Sequence, residues 1–280
     1  PAAPLINRGI RSSYPPGSVF KMIVAAAALD TGKINLSTTF VCTGSTRVGR
    51  RSFKCWTTHG PQELRGAITH SCDVFFYRTG LLVGPALIHD YALKLGLAKP
   101  AITDLPYGTE GFIPHPLLRK ISTFSSWLDG DTANFSIGQG EVLTTPLQIT
   151  RMIAVFANGG ILVEPYLVKA IDGKDVSALK VTPVEIQESS INYIRNYLKD
   201  VVDDEHGTAH VLSGLPVSVA GKTGTAQVSR GQPHAWFTGF FPFDNPKFAI
   251  CVFLENGGAG YYSCVVAKQV IQNMIKEGLI

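Results

Sequence analysis

The segment that most constrains this chain is an apolar run that follows a proline-rich turn near the amino terminus. Pro15 and Pro16 restrict the backbone, and Gly17 allows the chain to turn sharply. Nearly every residue from 21 to 29 is apolar, which predicts a helix surrounded by protein on all sides. Gly32 follows this run and can end the helix in a left-handed conformation.

Ser18 and Lys21 stand at the start of this predicted helix, and their spacing of three places them on one helix face. A lysine that opens a buried helix is costly unless it is paired or has lost its proton. An uncharged lysine beside a serine hydroxyl can act as its general base. The alternative is that Ser18 caps the helix while Lys21 extends its ammonium to solvent. The motif alone does not decide between them.

Composition describes an ordinary globular chain of one large domain or two small ones. The 280 residues are 45% hydrophobic and 16% charged, and the net charge of +4 is too small to indicate a nucleic-acid partner. No run of about 18 apolar residues occurs, so the sequence predicts no membrane span. Because it starts at Pro1 without a signal peptide, we expect residues 1–280 to be a domain excised from a longer protein.

Hydrophobic spacing predicts helices first and a sheet with a closing helix last, which indicates an α+β fold. Residues 98–134 show no sustained period and are predicted to be irregular. Short Gly, Pro, Asp and Asn connectors separate the β-rich segments, as in an antiparallel meander. Helices are predicted at 21–29, 62–82, 85–95, 146–158, 185–202 and 263–276, and strands at 217–228, 235–242 and 248–254.

Two further short motifs follow Ser18 and Lys21 along the chain. Ser71-Cys72-Asp73 falls at a break or end of the second predicted helix, and Lys222-Thr223-Gly224 falls on the first strand of the meander. Each is weak alone, because short motifs recur by chance. Their order, S-x-x-K then S-x-D then K-T-G, is the signature of penicillin-binding proteins and related serine β-lactamases.

The chain also resembles the transpeptidase domain of class B penicillin-binding proteins along essentially its whole length. The resemblance is strongest to the penicillin-binding protein 2 subgroup of the rod-elongation machinery, because Asp73 stands where most other relatives carry Asn. The matching stretches are Tyr14-Pro15-Pro16-Gly17-Ser18, Gly130-Asp131, Ile137-Gly138-Gln139-Gly140, Thr145-Pro146-Leu147-Gln148, Gly207-Thr208-Ala209, Gly221-Lys222-Thr223-Gly224-Thr225-Ala226-Gln227 and Leu254-Glu255-Asn256-Gly257-Gly258.

The resemblance implies an antiparallel five-stranded sheet covered by helices, beside a mostly helical subdomain, with the active site between them. It implies that Ser18 attacks a D-Ala-D-Ala stem peptide and that Lys21 takes its proton. Ser71 would relay the proton to the leaving amine, and Asp73 would order Lys21 and Ser71. The remaining expected site residues bind the substrate carboxylate or complete the oxyanion hole: Lys222, Thr223, Gly224 and Thr225.

The activity implied is that of a serine D,D-transpeptidase, which cross-links peptidoglycan and is acylated by β-lactams without a catalytic cofactor. A serine β-lactamase or a β-lactam-sensing receptor domain would share the three motifs. The resemblance also implies a membrane anchor and a pedestal domain upstream, and a catalytic domain in the periplasm or extracytoplasmic space. The expected partners are stem peptides, β-lactams and a SEDS-type glycosyltransferase of the elongation complex.

A cysteine-rich pattern overlaps the second motif. Cys42, Cys55, His59 and Cys72 make a Cys3His set of the kind that holds structural zinc. The resemblance supports His59 and Cys72 most clearly, since relatives with zinc use carboxylates where Cys42 and Cys55 stand. A Cys42–Cys55 disulfide and unpaired buried thiols are the alternatives. The chain has five cysteines, an odd number, so a monomer cannot pair all of them.

Overall fold

The computed structural model describes residues 5–101, 104–105, 108–175 and 180–280. Its helices are α1 Arg8–Arg11, α2 Lys21–Asp30, α3 Leu64–Thr69, α4 Asp73–Val83, α5 Pro85–Lys94, α6 Pro116–Thr123, α7 Asp129–Ser136, α8 Pro146–Ala157, α9 Glu188–Asp203 and α10 Gly260–Lys276. Its strands are β1 Phe40–Cys42, β2 Ser45–Val48, β3 Arg51–Lys54, β4 Gly60–Gln62, β5 Ile161–Glu164, β6 Ala170–Ile171, β7 Lys174–Asp175, β8 Lys180–Pro183, β9 Ala220–Ala226, β10 His234–Phe241 and β11 Phe248–Leu254. Among the described residues, no helix combines the length and apolarity of a membrane span.

Helix α2 lies at the centre of the molecule, as its apolar sequence predicts. A 3-10 turn at Gly17–Phe20 leads into it, and every residue from Lys21 to Ala28 is fully buried. Helices α4, α5 and α9 pack around it. An apolar sequence on every side suits this environment, because no face of the helix meets water.

The three β-rich segments form one antiparallel sheet in the order β11-β10-β9. All eight residues of the central strand β10 are buried, and helices α8, α9 and α10 pack on the sheet. In the described part of the chain this sheet has three strands, whereas the resemblance implied five. The three strands observed are those predicted from the sequence's own β-rich segments, and the larger number came from the resemblance alone.

The segment predicted as one helix at 62–82 is two helices with a break that carries the second motif. Helix α3 ends at Thr69 and α4 begins at Asp73. Between them, Ser71 adopts a left-handed backbone with φ of 55°, a conformation that a helix cannot continue through. Hydrophobic spacing continues across the break because both helices bury their apolar faces in the same core.

Helix α6 and most of helix α7 lie inside the region predicted to be irregular. Each has eight residues, about two turns: α7 has almost no hydrophobic periodicity, and the apolar residues of α6 are spaced as in a helix but remain exposed. Pro116 occupies the first turn of α6, a position where its missing N–H costs nothing. At the start of α7, the Asp131 carboxylate accepts a hydrogen bond from the Leu128 N–H at 2.9 Å. Local capping, by the His115 side chain at α6 and by Asp131 at α7, therefore marks the start of each helix.

Candidate active site

A cleft of about 680 Å³ opens between the helical part of the molecule and the edge of strand β9. All three sequence motifs contribute to its lining, although they lie far apart along the chain. The lining residues that the sequence predicted are Ser18, Cys55, Ser71, Asp73, Thr223, Gly224 and Thr225. The fold therefore brings most of the predicted catalytic residues to one place.

Close backbone contacts hold the turn that carries Ser18 against strand β9. Gly17 has φ of 56°, and a Cβ atom there would lie 2.7 Å from the Thr225 carbonyl oxygen. The Gly17 N–H donates to the Gly138 carbonyl at 3.0 Å, and the Trp236 indole N–H donates to the Pro15 carbonyl at 3.0 Å. Glycine at position 17 is required for both the conformation and the approach, and half-buried Ser18 is thereby held beside the strand.

Lys21 connects the first and second motifs through three short contacts. Its Nζ atom lies 2.7 Å from Asp73 Oδ1, 2.9 Å from the Ser71 carbonyl oxygen and 3.1 Å from Ser71 Oγ. The lysine side chain is fully buried, whereas that of Asp73 is 16% exposed. A buried ammonium is tolerated only when paired, and the Asp73 carboxylate provides that pairing. Asp73 is also in the first turn of α4, where the helix dipole favours a negative charge.

Lys222 lies on the opposite side of the site, on strand β9, and is fully buried. Its Nζ donates to the Thr223 carbonyl at 3.2 Å. Burial, followed by the positive charge of Lys21, lowers the pKa of Lys222 well below its ordinary value, while Asp73 opposes the shift.

Two threonines of strand β9 already have partners outside the strand. Thr223 Oγ1 lies 2.7 Å from Thr208 Oγ1, and Thr225 Oγ1 accepts a hydrogen bond from the Gly260 N–H at 3.1 Å. Because Thr225 is an acceptor in that contact, its own hydroxyl proton remains available to a ligand. Gly224 lies between them with Pro16 3.0 Å from where a Cβ would be, so the strand and the Ser18 turn are in van der Waals contact.

Several lining residues were not singled out as site residues from the sequence. Thr208 lies in the matched stretch Gly207-Thr208-Ala209, and its contact with Thr223 places it in the site. Tyr77 is four residues after Asp73, a spacing that puts both on one face of α4 and could have identified it. Lys54, Trp56 and Tyr261 also line the cleft, and no sequence signal marks them.

The cysteine-rich set comes together directly behind the second motif. The ligand atoms of Cys42, Cys55, His59 and Cys72 all lie within 4.8 Å of one another. All five cysteines of the chain are described and are free thiols, so the structure does not contain the Cys42–Cys55 disulfide. Hydrogen bonding to Cys72, together with backbone N–H donors, lowers the pKa of Cys55, and the same contact and burial raise the pKa of Cys72.

The dimensions of this cluster match a tetrahedral metal site. His59 Nδ1 lies 3.6 Å from Cys42 Sγ and 3.5 Å from Cys55 Sγ. Zinc–sulfur and zinc–nitrogen bonds meeting at a tetrahedral angle place sulfur and nitrogen about 3.6 Å apart. The Asp73 N–H donates to Cys55 Sγ at 3.2 Å, as expected for a sulfur with thiolate character. The residues present therefore fit a zinc ion held by three sulfurs and one imidazole nitrogen.

Comparison with known proteins agrees with this geometry. Residues 2–276 match the family model for the penicillin binding protein transpeptidase domain. Peptidoglycan D,D-transpeptidase MrdA of Acinetobacter baumannii is 32% identical over 295 residues, covering 95% of this chain and 43% of that protein. Peptidoglycan D,D-transpeptidase PbpA of Mycobacterium tuberculosis is 33% identical over 270 residues, covering 92% of this chain and 53% of that protein. The chain thus spans about half the length of these relatives.

Solved structures give the same result. The penicillin-binding protein PBP2 from Helicobacter pylori superimposes with a TM-score of 0.90 at 33% identity, over 99% of this chain and 52% of that one. Pseudomonas aeruginosa PBP2, solved in complex with WCK 5153, superimposes with a TM-score of 0.89 at 32% identity, over 97% of this chain and 62% of that one. The fold is therefore the transpeptidase fold that the motifs indicated, and this chain belongs to the family of penicillin-binding protein transpeptidase domains.

Proposed function

We propose that this chain is a serine D,D-transpeptidase domain that cross-links peptidoglycan stem peptides through an acyl-enzyme on Ser18. One observation carries the proposal. A fully buried lysine, one turn after a cleft-lining serine, contacts both Ser71 and Asp73 at 2.7 to 3.1 Å, with the K-T-G strand on the same cleft. Names of relatives as peptidoglycan D,D-transpeptidases support it.

In the acylation step, Ser18 Oγ attacks the carbonyl carbon of the penultimate D-alanine, and Lys21 Nζ takes the hydroxyl proton. Lys21 must be uncharged to accept it. An uncharged amine still has two N–H bonds, which suffice for the Ser71 carbonyl and the Asp73 carboxylate, and a lone pair for a hydroxyl. The proton then passes through Ser71 Oγ to the nitrogen of the leaving D-alanine. The C–N bond therefore breaks to release a neutral amine and not an amine anion.

In the second step, an acceptor amine attacks the acyl carbon, loses a proton to Lys21, and releases Ser18. Water in place of the amine would give a carboxypeptidase reaction. The backbone N–H groups of Ser18 and Thr225 are the proposed oxyanion hole, because close packing holds the Ser18 turn against β9. We assign the terminal carboxylate of the substrate to the hydroxyls of Thr223 and Thr225, with the charge of Lys222 behind them.

The test is covalent labelling with a fluorescent penicillin. Wild-type protein should label at one site and Ser18→Ala should not, because the nucleophilic oxygen is missing. Ser37→Ala, which changes a serine on an exposed turn, is the matched control and should label normally. Labelling of Ser18→Ala at the wild-type rate would reject the nucleophile. Rapid loss of the adduct would identify a β-lactamase, and a stable adduct without stem-peptide activity would identify a sensor.

We further propose that Cys42, Cys55, Cys72 and His59 Nδ1 hold a structural zinc ion, with no cofactor in the catalytic steps. Such a site would tie the loop of residues 42–59 to the start of α4, next to Asp73. Protein purified without chelator should contain about one zinc per chain, and His59→Ala should contain much less, since three ligands hold zinc more weakly than four. A zinc content near zero in the wild-type protein would remove this proposal.

For the whole protein, we propose a membrane anchor and a pedestal domain upstream of residues 1–280, which place this domain in the periplasm or extracytoplasmic space. The relatives support this, because each is about twice as long as the matched region. A structure of the H. pylori protein is described as a complex with MreC, and another relative belongs to a peptidoglycan synthase complex. We propose a SEDS-type glycosyltransferase as partner. Co-purification of the full-length protein with it from membranes should succeed, and recovery of the protein in the soluble fraction would contradict both proposals.

A further inference from the structure

Three consecutive residues at the end of strand β3 are fixed to the segment that carries the second motif. The Lys54 carbonyl accepts the Tyr77 hydroxyl at 3.1 Å, and Cys55 Sγ accepts the Asp73 N–H at 3.2 Å. The Trp56 indole N–H donates to the His70 carbonyl at 3.1 Å. These anchors use the backbone of Lys54 and the nitrogen of Trp56. The ammonium of Lys54 and the ring face of Trp56 take no part in these anchors.

Both residues line the cleft and remain exposed. Trp56 is 62% exposed, although leaving a tryptophan ring in contact with water is energetically unfavourable. The Trp56 and His59 rings form a T-shaped pair with a centroid distance of 5.2 Å, and this contact leaves Trp56 largely exposed. An ordered but uncovered aromatic ring at the edge of a cleft is typical of a ligand contact.

The charges on the cleft wall are unevenly distributed. Among the described residues that line the cleft, Lys54 and Asp73 are the only charged ones. The Asp73 carboxylate is already occupied by the Lys21 Nζ atom, which lies 2.7 Å from its Oδ1 atom. Within the described part of the chain, no carboxylate lies within ion-pair distance of the Lys54 ammonium. The outer cleft therefore presents one exposed positive charge beside one exposed indole.

We propose that Lys54 is a specificity-determining residue that binds a carboxylate of the substrate away from the reacting carbonyl, with Trp56 as the adjoining apolar wall. The ligand class is a peptide or β-lactam whose side chain carries a carboxylate near an apolar group. This inference rests on the proposed acylation of Ser18. It adds a second binding site for a substrate carboxylate to the one assigned to Thr223 and Thr225. Neither Lys54 nor Trp56 takes part in the chemical steps.

The test uses benzylpenicillin and carbenicillin, which differ by one side-chain carboxylate. The measured quantity is the second-order rate constant of acylation for each, in wild-type protein, Lys54→Gln and Lys54→Arg. An ion pair at a partly exposed site contributes modestly, so the carbenicillin-to-benzylpenicillin ratio should fall about two- to fivefold in Lys54→Gln. Lys54→Arg keeps the charge and should keep the ratio. High salt should lower the wild-type ratio towards that of Lys54→Gln.

A matched control is Lys276→Gln, an exposed lysine at the last turn of α10. Gly260 begins that helix at the cleft, and 17 residues of helix place Lys276 about 25 Å away, so the ratio should not change. The proposal is overturned if the ratio in Lys54→Gln equals that of the wild type at low salt. Failure of benzylpenicillin to acylate wild-type protein would instead reject the proposed function, so the two outcomes can be told apart.

Discussion

At the scale of single residues, the site depends on two buried lysines that the structure treats differently. Lys21 contacts a carboxylate, a hydroxyl and a carbonyl, whereas among the described residues the Lys222 ammonium has one hydrogen bond, to the Thr223 carbonyl. Of the two lysines, only Lys21 directly contacts Asp73, so a charge on Lys222 is buried without a paired carboxylate. Its lowered pKa follows from that arrangement.

The lowered pKa of Lys222 leads to a pH prediction. Between its folded-state pKa and its ordinary value of 10.5, the unfolded chain holds a proton that the folded chain has released. Protons bound more tightly by the unfolded state make stability rise with pH, with a maximum slope of about 1.4 kcal/mol per pH unit. Relative to Lys222→Met, the wild-type protein should therefore gain unfolding free energy as pH rises through this window.

Chemical denaturation of both proteins from about pH 6 to about pH 10 measures this difference, because every other titrating group is shared. Lys276→Met, at an exposed position, is the control and should run parallel to the wild type. Parallel curves for Lys222→Met and the wild type would show that Lys222 titrates normally in the folded protein.

At the scale of elements, the active site is a junction of one 3-10 turn, one helix start and one strand. The turn at Gly17–Phe20 makes many contacts with β9, and glycines at 17, 138 and 224 permit that approach. A Cβ at Gly138 would lie 2.3 Å from the Gly17 carbonyl oxygen. Backbone-to-backbone packing, rather than side-chain contact, thus sets the distance between Ser18 and the K-T-G strand.

Substitution of Gly17 tests this packing. Gly17→Ala places a methyl group 2.7 Å from the Thr225 carbonyl oxygen on a backbone with φ of 56°. We expect a loss of about 2 kcal/mol or more of unfolding free energy and acylation by penicillin slowed about tenfold or more, because the nucleophile is displaced. Urea denaturation and the acylation rate constant are the two measurements.

Gly32→Ala is the matched control for conformational strain. Gly32 has φ of 66°, and nothing lies within 4 Å of its missing Cβ. This variant should lose only about 1 kcal/mol, with acylation unchanged, because it has the strain without the clash. If Gly17→Ala resembled Gly32→Ala in both measurements, close packing at the turn would not position Ser18.

At the scale of the whole molecule, the cleft joins the helical part and the sheet, which otherwise share the core around α2. Ser18, Ser71 and Asp73 come from the helical side, and Thr223 to Thr225 come from the sheet. A ligand bonded to Ser18 and hydrogen-bonded to β9 would therefore stabilise the contact between them. Such a ligand binds only the folded state, which raises the melting temperature.

Acylation by benzylpenicillin should raise the melting temperature by about 4 to 8 °C, if the adduct contributes about 2 kcal/mol in a chain of this size. Differential scanning fluorimetry measures the shift. Ser18→Ala retains the cleft but cannot form the bond, so its melting temperature should change much less. An equal shift in both proteins would mean that the drug stabilises the fold without reacting at Ser18.

Much of the site could be predicted from local sequence. The buried helix α2, the strands β9 to β11 and the short motifs depend on apolar runs, β-rich segments and glycine placement, which neighbouring residues determine. The Cys3His set was visible as a spacing. The helices α6 and α7 were not predicted, because α7 has almost no hydrophobic periodicity and the apolar pattern of α6 spans only about two turns.

The sequence alone determined which chemical groups are present and where helix α2 and strands β9 to β11 lie along the chain, because those follow from short-range patterns. The tertiary structure decided which groups meet. It placed Asp73 beside Lys21, buried Lys222 with its ammonium on the Thr223 carbonyl, turned His59 Nδ1 towards Cys42 and Cys55, and brought Lys54 and Trp56 to the cleft. The contact between Lys21 and Asp73 joins residues 52 positions apart, and the burial of Lys222 depends on helices that are distant along the chain, so no local pattern contains these arrangements.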